Sequence, residues 1–150
     1  MSKKARRRAR RPSTAAPTGL AYRVFVSHAS TDKWIATALC DKIESAGAST
    51  FRDDRDVKSG DDIPDGIRTE IVRSREFVVL LSPDSVKRAW VLLEAGAFWG
   101  RRRDARIIAV LCHVEIDTIP DMIRSKKAIS INEFDDYVKE LAGRIRVTHG

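Results

Sequence analysis

At 150 residues, 43% hydrophobic and 33% charged, the chain is the size of one globular domain and long enough to bury a core without disulfides or a metal. Its formal net charge of +7 is local: seven of the 28 basic residues lie in residues 1–11, which hold no acid, so the remaining 21 balance the 21 acidic residues. That distribution argues against a basic groove on the folded body, and no apolar run reaches the roughly 20 residues needed to cross a bilayer.

Residues 1–20 read as a disordered, basic, solvated extension. After Arg10-Arg11 comes Pro12-Ser13-Thr14-Ala15-Ala16-Pro17, with no apolar core of a signal peptide. The chain is therefore expected to be soluble and cytoplasmic. Nucleic acid would be held only weakly, through residues 1–11 and without sequence preference. The folded domain is expected over 21–150.

Arg23-Val24-Phe25-Val26 is a short β-rich run ending in the polar turn Ser27-His28-Ala29-Ser30. A helix follows, with Ser30, Thr31 and Asp32 as possible N-caps and Ile35, Ala38, Leu39, Ile43 and Ala46 at helical spacing. Gly47 is placed to end it, and Ala48-Ser49-Thr50-Phe51 reads as a second strand. A charged loop, Arg52 to Asp62, leads to a helix opened by Pro64, with Ile63, Ile67 and Ile71 on one face.

Glu76-Phe77-Val78-Val79-Leu80-Leu81 has the length and β-branched content of a central strand buried on both faces. Ser82-Pro83-Asp84-Ser85 breaks it, and a helix lies within residues 84–100, with Arg101, Arg102 and Arg103 favouring its C-terminal end. Arg106 to Leu111 is a fourth strand, residues 117–124 a short helix, and Ala128 to Ile131 a weaker fifth strand. Asn132 is expected to cap a last helix, on which Phe134, Tyr137, Val138, Leu141 and Ile145 share a face.

Strands alternating with helices imply a parallel sheet covered on both sides. Five strands suit an α/β, flavodoxin-like order 2-1-3-4-5, in which ligands bind at the carboxyl ends of the strands beside the switch point. That edge is built from Ser27, His28 and Ser82, with the charged loop able to fold over it. Neither a Gly-x-Gly-x-x-Gly turn after the first strand nor a P-loop is present, which disfavours both of those nucleotide sites. The acid pair of a response regulator is also missing, since Ser27-His28 stands in its place. Cys40 and Cys112 sit in apolar stretches without metal-ligand spacing, so two buried free thiols are expected and no metal.

One residue stands out. Glu94 is the only charge in Ala89-Trp90-Val91-Leu92-Leu93-Glu94-Ala95-Gly96-Ala97-Phe98-Trp99, and Trp90 lies four residues before it on the same helix face. A carboxylate beside an indole in apolar surroundings is a functional-site candidate. By pattern alone Glu94 is equally a helix acid facing solvent or pairing with an arginine.

Three segments resemble TIR (Toll/interleukin receptor) domains. Val24 to Asp32 resembles their first signature, a strand ending in Ser and a polar turn. Phe51 to Asp61 looks like their BB loop. Ser82-Pro83 followed by Trp90-Val91-Leu92-Leu93-Glu94 resembles the segment that holds the catalytic glutamate of bacterial, NAD-consuming, Thoeris-like TIR domains. The resemblance covers about residues 22–147. It implies a helix starting near Trp90, which would bring Glu94 to the cleft.

The resemblance implies cleavage of the nicotinamide–ribose bond of NAD, giving nicotinamide with ADP-ribose or a cyclic ADP-ribose, and a part in anti-phage defence. NAD is then a substrate, and no cofactor is needed. Nicotinamide leaves NAD as a neutral base, so one carboxylate suffices to stabilise an oxocarbenium-like transition state. Glu94 takes that role. Phe25, Ser27, His28, Arg52, Asp53, Arg55, Ser82 and Trp90 are the expected substrate-binding residues, the two arginines being candidates for phosphate contact. Expected partners are other TIR domains and a separate sensor or effector protein. The alternative is a non-catalytic TIR scaffold that works through TIR–TIR association.

Overall fold

In a computed structural model, the structure describes residues 22–52, 65–87, 106–115, 117 and 127–149. Five parallel strands form one sheet in the order β2-β1-β3-β4-β5. They are β1 (Arg23–Ser27), β2 (Ser49–Arg52), β3 (Glu76–Leu81), β4 (Arg106–Leu111) and β5 (Lys127–Ser130). The described helices are α1 (Lys33–Ser45), α2 (Asp65–Arg73) and α3 (Phe134–His149). This is the expected flavodoxin-like α/β sheet.

The pleat sorts alternate side chains of each strand to opposite faces. Val24, Val26, Val78, Leu80, Ile108 and Val110 face α1 and α3, where Leu39, Ile43, Phe134, Tyr137 and Leu141 meet them. Phe25, Phe77, Val79, Leu81, Ile107 and Ala109 face α2 and pack on Ile67 and Ile71. All six residues of β3 are buried, as expected of a central strand. Because α1 and α2 cover opposite faces, the chain reverses direction of travel between β1 and β3, and the switch point lies there.

Two local expectations are corrected. On α1 the buried face is Ala36, Leu39, Cys40 and Ile43, and Ala38 is exposed. A 3-10 turn over Ser30–Asp32 precedes the helix and sets the phase in which α1 meets the sheet. At the other end Asn132 is not the cap. Ser130 is: its hydroxyl accepts from the Asn132 amide at 3.1 Å, and the Glu133 carboxylate accepts from the Ser130 amide at 2.9 Å. This capping box opens a 3-10 turn, Ile131–Glu133, that runs straight into α3. Ser130→Ala is expected to cost about 1 kcal/mol, read as a lower denaturant midpoint at unchanged slope. Gly47, at φ +107, ends α1 as expected. Cys40 and Cys112 are both free and buried.

At the amino-terminal edge of the sheet lies a buried ionic knot. The Glu76 carboxylate, 1% exposed, accepts from both Arg144 Nε at 2.7 Å and Arg144 Nη2 at 2.9 Å. It also accepts from the Tyr137 hydroxyl at 2.8 Å and from the Tyr22 hydroxyl. Burial, then the carboxylate, pushes the Tyr22 phenol up to about 12, and the same causes raise Tyr137 well above the ordinary value. The folded state therefore holds phenolic protons that an unfolded chain would release above the ordinary value of 10.0. The stability from Tyr22 is complete below pH 10 and is lost as the pH rises toward about 12, and Tyr137 is shifted in the same direction. Denaturant midpoints measured between those limits should fall, and Tyr22→Phe should blunt the fall.

Candidate active site

The carboxyl edge of the sheet carries the polar residues expected there. Ser27 ends β1 beside Val79 of β3, and Ser27, His28 and Ser82 are all buried. His28 Nδ1 lies 2.7 Å from the Ala29 carbonyl oxygen; since a carbonyl only accepts, Nδ1 carries a proton. Ser82 follows β3 directly, and its hydroxyl donates to the carboxylate of Asp32, itself buried. Ser85 Oγ donates to the Leu80 carbonyl at 2.9 Å and accepts from the Ser82 amide at 2.8 Å. On β4's side the Cys112 amide donates to the Leu81 carbonyl at 2.9 Å. Burial, then the nearby Asp32 carboxylate, raises the Cys112 thiol's pKa, which leaves it a poor nucleophile at neutral pH.

The other expected site residues divide between those the structure places and those it does not describe. Phe25 is wholly buried, stacked on Phe77 at 5.2 Å between ring centroids and tilted against Phe51 at 5.4 Å. It lies beneath the edge, in the α2-side core. Arg52, the last residue of β2, is drawn back onto α1, where its Nη1 donates to Thr37 Oγ1 and, at 3.4 Å, to the Lys33 carbonyl. Asp53, Arg55, Trp90 and Glu94 lie outside the described residues.

Asp32 was expected only as a possible N-cap, not as a site residue. At the start of a helix an Asp reads as a cap, yet this one makes no capping bond and turns to Ser82. Thr31 and Asp84 were missed in the same way: Thr31 Oγ1 donates to Asp84 Oδ2 at 3.1 Å. The only sequence signal was the spacing of Ser82 and Ser85 around a proline, which marks a turn but not its partner.

Among the described residues, no helix is long and apolar enough to cross a membrane.

Comparison with known proteins places this edge in a family. The model described as TIR domain matches residues 24–142. A curated 2' cyclic ADP-D-ribose synthase from Bacteroides thetaiotaomicron is 27% identical over 128 residues, 80% of this chain and 45% of that protein. The chain thus spans less than half the length of that relative. A metazoan TIR-STING receptor from C. gigas shares the fold with a TM-score of 0.63 at 23% identity, over 85% of this chain and 42% of that one. TIR domains of the activated Roq1 resistosome do so with a TM-score of 0.55 at 22% identity, over 82% and 80%. With the switch-point edge, nearly all of β1 and the first half of α3 inside the matched span, the chain belongs to the TIR domain family.

Proposed function

We propose that this TIR domain cleaves the nicotinamide–ribose bond of NAD, with Glu94 as the catalytic carboxylate. The observation that carries the reading is the acid at Glu94, alone in an apolar stretch and four residues after Trp90, in a chain of the TIR family. The similarity to a protein named a 2' cyclic ADP-D-ribose synthase supports it.

The bond between ribose C1′ and the nicotinamide nitrogen breaks, and its electron pair leaves with neutral nicotinamide. Positive charge develops on the ribose, where an anionic Glu94 stabilises it more than it stabilises the ground state. Water then adds to C1′ and loses a proton to solvent, giving ADP-ribose; addition of one of the substrate's own hydroxyls instead gives a cyclic ADP-ribose. Trp90 packs against substrate or Glu94. Ser27, His28 and Ser82 line the strand-end floor above Phe25, Asp53 contributes to substrate binding, and Arg55 is the candidate for phosphate contact, Arg52 being engaged with Thr37 and the Lys33 carbonyl.

In this reading the chain acts in the cytoplasm, residues 1–20 are a basic extension, and other TIR domains complete the assembly. The setting that suits the activity is anti-phage defence, with a separate protein sensing infection or reading the product. Chromatography of NAD incubated with wild type, dispersed and concentrated, and with Glu94→Ala tests the chemistry. Intact NAD throughout, or equal turnover by the variant, would refute it. Phage protection that survives Glu94→Ala would remove the defence role.

A second reading, a scaffold without catalysis, draws on one surface feature. Trp34 is 74% exposed beside a groove of about 290 Å³ lined by Ile35, Leu39, Cys112, Ile131 and Phe134. An exposed indole next to apolar side chains suits association with another TIR domain. Binding to a second TIR domain that is lost in Trp34→Ala and kept in Glu94→Ala, with no NAD consumed by either partner, would favour it.

A further inference from the structure

We propose that Thr31 and Asp32 are positioning residues for the NAD reaction, because their clasp on Ser82 and Asp84 sets the course of the chain as it leaves β3 toward Trp90 and Glu94. This inference rests on the reading of Glu94 above. Two hydroxyl–carboxylate bonds run in opposite directions between the same two segments. Ser82 Oγ donates to Asp32 Oδ2, and Thr31 Oγ1 donates to Asp84 Oδ2 at 3.1 Å. The inner bond is buried and the outer one exposed. Both acceptors are carboxylates, which makes these bonds stronger than neutral ones.

The clasp is continuous with the turn that follows β3. Ser82 Oγ, while donating to Asp32, accepts from the Ser85 amide at 3.2 Å. The Val86 amide donates to the Ser82 carbonyl at 3.1 Å. Ser85 opens the 3-10 turn Ser85–Lys87, from which the chain continues to Trp90. The orientation of that turn is thus tied to the start of α1 and, through it, to Ser27 and His28 at the end of β1.

A second feature marks the arrangement as more than packing. Asp32 stands at the N-cap position of α1 but forgoes the cap bond, the choice that local stability alone would favour. A residue that breaks a local rule in this way is characteristic of a site whose geometry is held for function. Misplacement of a reacting group by about 1 Å costs on the order of 100-fold in rate, so a tether upstream of Glu94 has leverage on catalysis without touching substrate.

The test uses the full chain and NAD, with wild type and Glu94→Ala measured alongside Thr31→Val, Thr31→Ser, Asp32→Asn and Asp84→Ala. Thr31→Val is expected to lower kcat by about tenfold or more, with KM and thermal midpoint little changed because its bond is exposed. Thr31→Ser keeps the hydroxyl and should restore the rate. The Thr31→Val, Asp84→Ala double variant should be no worse than either single one, since both remove one bond. Asp32→Asn should lower kcat as well. Unchanged kcat in Thr31→Val, failure of Thr31→Ser to restore it, or a loss that only tracks the folded fraction would each overturn the inference while a Glu94-dependent turnover stands. A wild type that leaves NAD intact overturns the reading of Glu94 and this inference with it.

Discussion

Glu94→Ala is expected to reduce NAD turnover by about 100- to 1000-fold, the loss of roughly 3–4 kcal/mol of transition-state stabilisation. The leaving group needs no proton, so no second acid or base is left to compensate once the carboxylate is gone. Glu94→Gln should fall nearly as far, since it keeps shape and hydrogen bonding but not the charge that opposes the oxocarbenium ion. Both variants should bind NAD with little loss, because an interaction made mainly in the transition state lowers kcat and kcat/KM together. Product analysis under single-turnover conditions, with the fold checked by circular dichroism, distinguishes this from misfolding. A Glu94→Gln variant with wild-type kcat would show that the charge is not used.

Glu76→Ala should be the most damaging substitution for stability among the described residues, at about 3–5 kcal/mol. The reason is what it leaves behind. Arg144, whose protonated form is favoured by its bonds to Glu76, would keep its charge beside the core without a counter-ion. Tyr22 and the fully packed Tyr137 would each lose an acceptor for a hydroxyl, a further penalty for buried donors. The pair also pins α3 to the sheet, so its loss should loosen the helix that shares one face with α1. Against a typical domain stability of about 5–15 kcal/mol, the change is large enough to unfold a marginal protein. Urea unfolding of Glu76→Ala and Glu76→Gln against wild type measures it. The knot lies at the amino ends of the strands, opposite the candidate site, so whatever Glu76→Gln remains folded should keep its kcat. A Glu76→Ala chain as stable as wild type would mean that solvent reaches and compensates Arg144.

Strands β3 and β4 begin and end where expected, because six buried residues in β3 and four in the middle of β4 leave little ambiguity of face or length. The edge strands were less sharply bounded. Ser49–Arg52 and Lys127–Ser130 are each displaced by one residue from the expected runs, since half-buried strands carry little hydrophobic signal. Gly47 ended α1 as expected because only a left-handed backbone turns the chain there, a constraint local to one residue. Alternation implied a parallel sheet, because parallel strands need crossovers and crossovers have one hand, and the order 2-1-3-4-5 that suits five such strands is the one the sheet has.

The pairings were another matter. Asp32 finds Ser82, and Glu76 gathers Tyr22, Tyr137 and Arg144, across 50 to 68 residues of chain. No local pattern distinguishes a carboxylate that caps its own helix from one that clasps a distant turn. Arg52 shows the same limit: by sequence it was a loop arginine for phosphate, whereas the packing of β2 on α1 brings Thr37 and the Lys33 carbonyl within its reach. Glu94 was legible only through its apolar setting and the TIR resemblance. The sequence alone therefore determined the strands, their parallel sheet and the polar residues at its carboxyl edge, since periodicity and backbone preference act over a few residues. Tertiary structure decided which polar groups meet at that edge and at its opposite, because burial makes each buried charge or hydroxyl take whatever partner the sheet order brings to it.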